Sequence, residues 1–317
     1  EYIRGGHGKD KDKPFYLWLC YGAVHGPFTP AKRHFENYPD AKVKIPKDIY
    51  PPRKGKPQYS RDKEQWIPGP NGLPILKAGR FAGRTVSGKF IHGTDLHSLE
   101  RQYNQGVIAI DEGVGKLIKA LKETGQYENT LIVFGADQGI AWGQKGFQMK
   151  LAPYDGTIRG PLIVSMPKKF PAGKVCPKPV GGADLVPTFF KTAGLELPWN
   201  MHGRDLTPLL EKPERKDWKK PLLLAHTGMS FGEDCDEVID MNDDPIYQKQ
   251  RVPWWVSLRT DRYKYIRNLL PGETEEIYDM KKDPDELVNL AMQDKHLNLL
   301  RKLRKKTISE LERTYCA

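Results

Sequence analysis

A short apolar run that ends in small and polar residues decides the fold, and it reads Thr130-Leu131-Ile132-Val133-Phe134-Gly135-Ala136-Asp137-Gln138-Gly139. Its first five residues are apolar or β-branched, which is typical of a parallel strand covered on both faces. A second run of this kind is Pro161-Leu162-Ile163-Val164-Ser165. Residues 102–124 carry apolar side chains at helical spacing. Helices alternating with apolar strands predict a doubly wound, mainly parallel α/β sheet flanked by helices.

Ligands of such a sheet bind beyond the carboxyl ends of its strands. Asp137 lies there, three residues after Phe134, the last apolar residue of the first strand. Residues 15–20 are a further apolar run, closed by the turn-prone Gly22, and they predict a buried strand. His25 follows the end of that strand, so we expect His25 and Asp137 at the same edge of the sheet.

The composition of the sequence changes after Leu210. Residues 211–220 are mostly charged and contain proline, as in a linker. Short segments of strand composition follow, separated by turn residues: 252–259, 263–267 and 276–278. An amphipathic helix is predicted over 296–314. We therefore expect an α/β domain over residues 1–211 and a small C-terminal α+β subdomain with an antiparallel sheet over residues 212–317.

Positive charge is concentrated in one segment of the chain. The net charge is +11, and residues 31–90 contain 14 basic against 5 acidic side chains. The segment is rich in proline, which predicts surface loops. It fits either a cleft for an anionic substrate or a solvated insertion. Nucleic-acid binding is not expected, because no recognised module accompanies the charge.

The cysteines and the apolar segments exclude other classes. Four cysteines without a Cys-x-x-Cys pair indicate neither a zinc site nor a disulfide framework. The longest apolar run, residues 14–21, is shorter than the roughly 20 residues of a membrane-spanning helix. No signal peptide is recognisable at Glu1.

Several co-linear blocks resemble the formylglycine-dependent (type I) sulfatases of the alkaline-phosphatase superfamily. The blocks that carry the resemblance are Val24-His25-Gly26-Pro27-Phe28, residues 110–117, residues 129–139, residues 150–164, residues 184–188, residues 202–206, residues 259–266 and residues 277–286. The resemblance implies a sulfatase α/β fold, and it implies hydrolysis of sulfate esters, expected here on a sulfated carbohydrate.

The resemblance makes Asp137 a metal ligand and Gln138 its neighbouring ligand. A carboxylate beside an amide at a strand end suits a hard cation bound through oxygen. Calcium is the expected ion, with magnesium as the alternative, and zinc is not expected.

His25 and Lys150 are the candidate catalytic residues, again through the resemblance. Cleavage of a sulfate ester requires neutralisation of the negative charge on the sulfuryl oxygens and on the leaving oxygen. Lys150 would place a positive charge on a sulfate oxygen. His25 would donate to the sulfate or protonate the leaving oxygen. Lys145 stands where related sequences often have His, and it is not assigned a catalytic role.

The nucleophile motif of the family, Cys/Ser-x-Pro-x-Arg, is absent from the sequence. In the family this residue becomes formylglycine, whose hydrate attacks sulfur. We expect it, together with further acidic metal ligands, upstream of this chain. Residues 1–211 are then a partial catalytic domain, and we expect the isolated chain to be inactive.

Two alternatives remain open at this stage. One is a phosphodiesterase or phosphonate hydrolase of the same superfamily, and the other is a non-catalytic fragment that binds polyanions. Because members of the family are often exported, a periplasmic or extracellular location is expected.

Overall fold

The computed structural model describes residues 1–10, 12–26, 29–40, 42–77, 95–148, 150–229 and 240–314. Residues 78–90 of the basic segment lie outside the described residues, and so do Cys235 and Cys316. The strands are β1 (Trp66–Pro68), β2 (Pro74–Leu76), β3 (Ile132–Gly135), β4 (Leu162–Ser165), β5 (Leu222–His226), β6 (Trp255–Arg259), β7 (Tyr263–Asn268) and β8 (Glu276–Asp279). The helices are α1 (Gln58–Arg61), α2 (Leu96–Glu123), α3 (Asp155–Ile158), α4 (Leu185–Ala193), α5 (Thr207–Glu211), α6 (Pro245–Gln250) and α7 (Leu297–Thr314).

The C-terminal sheet packs against α7 through one of its faces. Its strands run in the order β5-β6-β7-β8, and each neighbouring pair is antiparallel. The register aligns Leu258, Tyr265 and Ile277 in one row across the sheet. This row packs with Leu300 and Leu303 of α7. The predicted antiparallel sheet and terminal helix are confirmed.

The opposite face of this sheet is covered by the chain between β3 and β4. Successive strand residues point to opposite faces. Ile266 and Tyr278 therefore face away from α7, and they pack with Phe147, Ala152 and Tyr154. Because both faces are covered, the sheet carries apolar side chains on both.

The pairing of β3 with β4 differs from the prediction. The two strands are antiparallel, with Ile132 opposite Ser165 and Phe134 opposite Ile163. An apolar strand composition shows that both faces can be covered but does not encode the direction of the neighbour. Ile163 is also 62% exposed, although its sequence context predicted burial. Strand direction is set by where the connection returns, and here it returns to the end of β3.

Residues 15–20 do not form the buried strand that their composition predicts. They have no regular secondary structure, and the Trp18 side chain is 71% exposed. A strand forms only where a neighbour supplies backbone hydrogen bonds. Among the described residues, no strand pairs with this run, so its apolar composition alone does not order it as a strand.

The long helix predicted over residues 102–124 is confirmed as α2, which begins earlier, at Leu96. Asp95 caps it, because its Oδ1 accepts the N–H of Ser98 at 3.0 Å. In the part of the chain that the structure describes, no helix has both the length and the apolar character to span a membrane.

Part of the basic segment is built into the protein core. Arg53 is buried, and its guanidinium donates to the carbonyl oxygens of Asp48 at 2.6 Å and Ile49 at 2.7 Å. Trp66 is fully buried and donates its Nε1–H to the carbonyl oxygen of Phe147 at 3.1 Å. For these residues the interpretation as a solvated insertion is wrong, since their polar groups satisfy main-chain acceptors.

The burial of Lys56 can be tested through the pH dependence of the protein's stability. Its ammonium contacts the hydroxyl of Tyr278 and the main-chain oxygen of Glu286, and burial lowers its pKa from 10.5 to about 8. Between these two pH values the unfolded chain binds more protons at this position than the folded chain does. The free energy of unfolding therefore rises with pH across that window.

We predict that the stability of the unchanged chain relative to Lys56→Met increases as the pH rises from about 8 to 10.5. The increase should be at most about 3 kcal/mol, measured by urea unfolding at each pH. Lys54→Met, at an exposed position nearby, is the matched control and should show no such trend. A pH-independent difference for Lys56→Met would contradict the prediction.

Candidate active site

The loop after β3 places Asp137 at the surface. Asp137 follows the end of β3 by two residues, and its side chain is 78% exposed. Its Oδ1 accepts the main-chain N–H of Gln138 at 2.9 Å. Gly139 then passes so close to the chain at α3 that a Cβ there would lie 2.7 Å from the carbonyl oxygen of Arg159. Only glycine fits this approach, which fixes the Asp137 loop against the end of α3.

The structure brings Lys150 and Asp137 together. Lys150 Nζ lies 4.0 Å from Asp137 Oδ2, and the Lys150 side chain is 32% exposed. The neighbouring Leu151 has a positive φ of 79°, and its carbonyl oxygen accepts the Nε1–H of Trp255 at 2.8 Å. A partly exposed cation therefore lies beside an exposed carboxylate.

His25 lies in an exposed turn whose start is packed against α2. His25 Nδ1 is 3.2 Å from the carbonyl oxygen of Gly26. Val24 packs so closely on α2 that a Cβ at Gly106 would lie 2.8 Å from Val24 Cγ1. Among the described residues, no hydrogen bond or ion pair joins His25 to Asp137 or Lys150.

Tyr103 is a neighbour of Asp137 that the sequence did not identify. Burial, and then the negative charge of Asp137, raise the pKa of Tyr103. The Tyr103 ring packs on Trp142, with ring centroids 5.6 Å apart, and Tyr103 stands one helical turn before Gly106. The same stretch of α2 therefore contacts the chain after Asp137 and also Val24. The apolar spacing on α2 indicates that Tyr103 lies on the buried face of the helix. It does not show that the loop after β3 lies near this face, because that loop is distant in sequence.

Asp137 and Gln138 have the donor chemistry of a hard-cation site but not the number of donors. Both offer oxygen, which suits calcium or magnesium, whereas calcium takes about 6–8 oxygen ligands. The Gln138 amide nitrogen donates towards Asp137 Oδ2 at 3.5 Å. Within the described ranges, no group of three or more His, Cys, Asp or Glu side chains could hold a metal ion. These two residues fit such an ion as part of a site.

Lys145 has a different environment from Lys150. It is buried, pairs with Asp48 Oδ2 at 2.9 Å and donates to the carbonyl oxygen of Asp285 at 2.5 Å. These contacts tie three distant segments together, which supports leaving Lys145 outside the candidate catalytic residues.

Comparison with known families identifies the chain. Residues 1–195 match the family model described as Sulfatase. The chain belongs to the sulfatase family. Residues 245–313 match the model described as N-sulphoglucosamine sulphohydrolase, C-terminal. The family resemblance drawn from the sequence blocks is therefore confirmed.

Individual relatives are similar over most of the chain. It is 24% identical over 322 aligned residues to an N-acetylglucosamine-6-O-sulfatase of Bacteroides thetaiotaomicron, which covers 89% of this chain and 55% of that protein. It is 28% identical over 307 residues to an arylsulfatase of Clostridium perfringens, with 96% and 55% covered. The chain thus spans about half the length of these curated relatives.

A solved structure confirms the fold class. A protein whose structure was solved in complex with its substrate D-glucosamine-2-N,6-O-disulfate superposes with a TM-score of 0.75 at 23% identity, over 98% of this chain and 68% of that chain. The sulfatase α/β fold with a C-terminal antiparallel sheet is thereby established for this chain.

We predict that this chain alone binds calcium weakly, because Asp137 contributes the one carboxylate of the candidate ligand pair. Isothermal titration with CaCl₂ should give a dissociation constant no lower than about 10⁻³ M. Asp137→Asn should remove the binding, whereas Asp111→Asn, an exposed control on α2, should leave it unchanged. Micromolar binding that survives Asp137→Asn would contradict this assignment.

Proposed function

We propose that this chain is part of a sulfuric ester hydrolase that acts on a sulfated carbohydrate. The observation that carries the proposal is the Lys150 Nζ to Asp137 Oδ2 distance of 4.0 Å at the end of β3, in a chain of the sulfatase family. A sulfate ester carries negative charge that grows on the leaving oxygen during cleavage. A lysine beside a cation-binding carboxylate is suited to neutralise that charge.

Each candidate residue has one role in this proposal. Lys150 donates to a sulfate oxygen and holds the ester in place. Asp137 and Gln138 hold the divalent cation. Calcium is the proposed ion, and magnesium is the alternative. When bound, the cation withdraws electron density from the sulfate oxygens. Two residues do not complete the coordination of such a cation, so the proposal requires further oxygen ligands.

His25 is proposed as the donor that protonates the leaving oxygen. Its support is the packing of Val24 on Gly106 of α2. Gly106 is one helical turn from Tyr103, and the negative charge of Asp137 contributes to the raised pKa of Tyr103. The turn that carries His25 is therefore anchored on the same part of α2 that packs, through Tyr103, on Trp142 in the loop after Asp137.

The proposal divides the work between two parts of the chain. Residues 1–211 are part of the catalytic domain, and residues 212–317 are the C-terminal subdomain. Formylglycine is supplied outside this sequence, since no Cys/Ser-x-Pro-x-Arg motif occurs in it. The isolated chain should then release no sulfate.

A sulfated sugar is the proposed substrate. Two findings support it: the N-acetylglucosamine-6-O-sulfatase among the relatives, and the similar fold that was solved with a disulfated glucosamine. The net charge of +11 favours an anionic substrate. A periplasmic or extracellular location is part of the proposal, by analogy with the exported members of the family.

The decisive experiment expresses the full-length product of the gene together with a formylglycine-generating enzyme. We expect sulfate release from glucosamine 6-sulfate or an aryl sulfate. Lys150→Ala and Asp137→Asn should each lower kcat/KM by about 100-fold or more, because each removes charge that stabilises the transition state. Lys168→Ala, an exposed lysine beyond β4, is the matched control.

The alternatives give different results in the same assay. Faster turnover of a matched aryl phosphate diester would favour a phosphodiesterase or phosphonate hydrolase. Salt-dependent, metal-independent binding of heparin without any sulfate release would favour a polyanion-binding protein. Either result would overturn the proposed function.

A further inference from the structure

Both ends of the segment that carries Lys150 are tied to the same C-terminal loop. At one end, Lys145 Nζ donates to the carbonyl oxygen of Asp285 at 2.5 Å. At the other end, the main-chain N–H of Asp155 donates to Glu286 Oε2 at 2.8 Å. Asp285 and Glu286 follow β8 in the C-terminal part of the chain.

Glu286 is the centre of a buried ionic cluster. Its side chain is about as buried as the apolar core, at 2% exposure for the residue. Glu286 Oε1 accepts from Lys264 Nζ at 2.6 Å, and the same ammonium donates to Asp155 Oδ1 at 2.8 Å. Lys264, which is fully buried on β7, therefore joins Glu286 to Asp155 a second time.

Several described residues between these ties are held by packing. Phe147, Ala152 and Tyr154 are buried against the C-terminal sheet, and Leu151 is held through its carbonyl oxygen by Trp255. Lys150 is partly exposed in this stretch and reaches the Asp137 side. A displacement of Asp155 is therefore transmitted to Lys150, because the few residues between them are closely packed.

We propose that Glu286, acting through Lys264 and Asp155, is a positioning residue that holds Lys150 beside Asp137. The C-terminal sheet then determines the geometry of a site that lies at the end of β3. What Lys150 does there rests on the proposed function, but its placement by Glu286 does not.

A buried ionic cluster is a poor source of net stability, because desolvation offsets the attraction between the charges. Replacing both partners by apolar residues of similar size is often tolerated, whereas removing one partner leaves a buried charge unpaired. In the double variant Lys264→Met/Glu286→Leu neither of these two buried charges is left unpaired, and both ties to Asp155 are removed. The Asp155 side chain is 23% exposed, so water can solvate its carboxylate in that variant.

Zero-length carbodiimide coupling measures the placement without any turnover. The reagent joins Asp137 to Lys150 only when their charged groups are in contact. The ion pair Lys119 with Glu123 on α2, at 3.8 Å, is an internal reference in the same molecule. Peptide mass spectrometry gives the ratio of the two coupled products. We expect the ratio to fall about fivefold or more in the double variant, since a displacement near 1 Å is enough to disturb such a site.

Two controls separate positioning from loss of stability. Leu303→Ala opens a cavity on the α7 face of the same sheet without touching Glu286, and it should leave the ratio unchanged in the folded protein. Glu286→Gln keeps the shape and one acceptor, so it should give an intermediate ratio, and it replaces the double variant if that variant does not fold.

An unchanged ratio in a variant whose circular dichroism shows the native fold overturns the proposal. A fall that Leu303→Ala reproduces overturns it too, because general loosening would then be the cause. The ratio can also fall in the double variant while the full-length, formylglycine-containing protein releases no sulfate. That combination would support this inference and contradict the proposed function.

Discussion

The contact of Phe147 and Tyr154 with the C-terminal sheet is the constraint on which the rest of the structure depends. One face of the sheet packs on α7, and the other buries Phe147 and Tyr154 against Ile266 and Tyr278. Full burial of a large apolar side chain contributes about 1.5–3 kcal/mol, so this interface outweighs any single ion pair at the surface. Because Phe147 and Tyr154 lie in the connection between β3 and β4, the same contact joins the two parts of the chain.

Polar groups within this contact make the packing specific. The Tyr154 hydroxyl donates to Glu276 Oε2 at 3.0 Å, and the Tyr278 hydroxyl donates to the same carboxylate. Burial raises the pKa of Glu276, while the charge of Lys56 and these hydroxyl donors act against the shift. A buried carboxylate needs such donors, and shifted packings would leave it without them. Apolar contacts thus supply the stabilisation, and the polar groups select one arrangement.

Elements that depend on a pattern of consecutive residues were predicted correctly from the sequence. Features that depend on which strand or loop lies alongside were not. The strand composition and turn residues of β6 to β8 and the spacing in α2 and α7 are properties of consecutive residues, so these elements were predicted, although α2 begins six residues before its predicted start. The direction of β4 and the state of residues 15–20 depend on which strand lies alongside, and composition carries no information on that. The burial of Arg53 was missed for the same reason, since its acceptors are main-chain carbonyls that only the folded loop gathers.

The candidate site follows the same division. Asp137 and Lys150 could be found because each sits in a sequence block with a recognisable resemblance, but Tyr103 and Glu286 contact this region from remote parts of the chain. An exposed carboxylate and ammonium 4.0 Å apart attract each other by only about 1 kcal/mol in water. That attraction is comparable to the entropy lost by a fixed lysine side chain, so the pair cannot hold itself in place. The placement of Lys150 must therefore come from the buried residues around it, and the strength of its charge on a ligand rises only as the ligand displaces water.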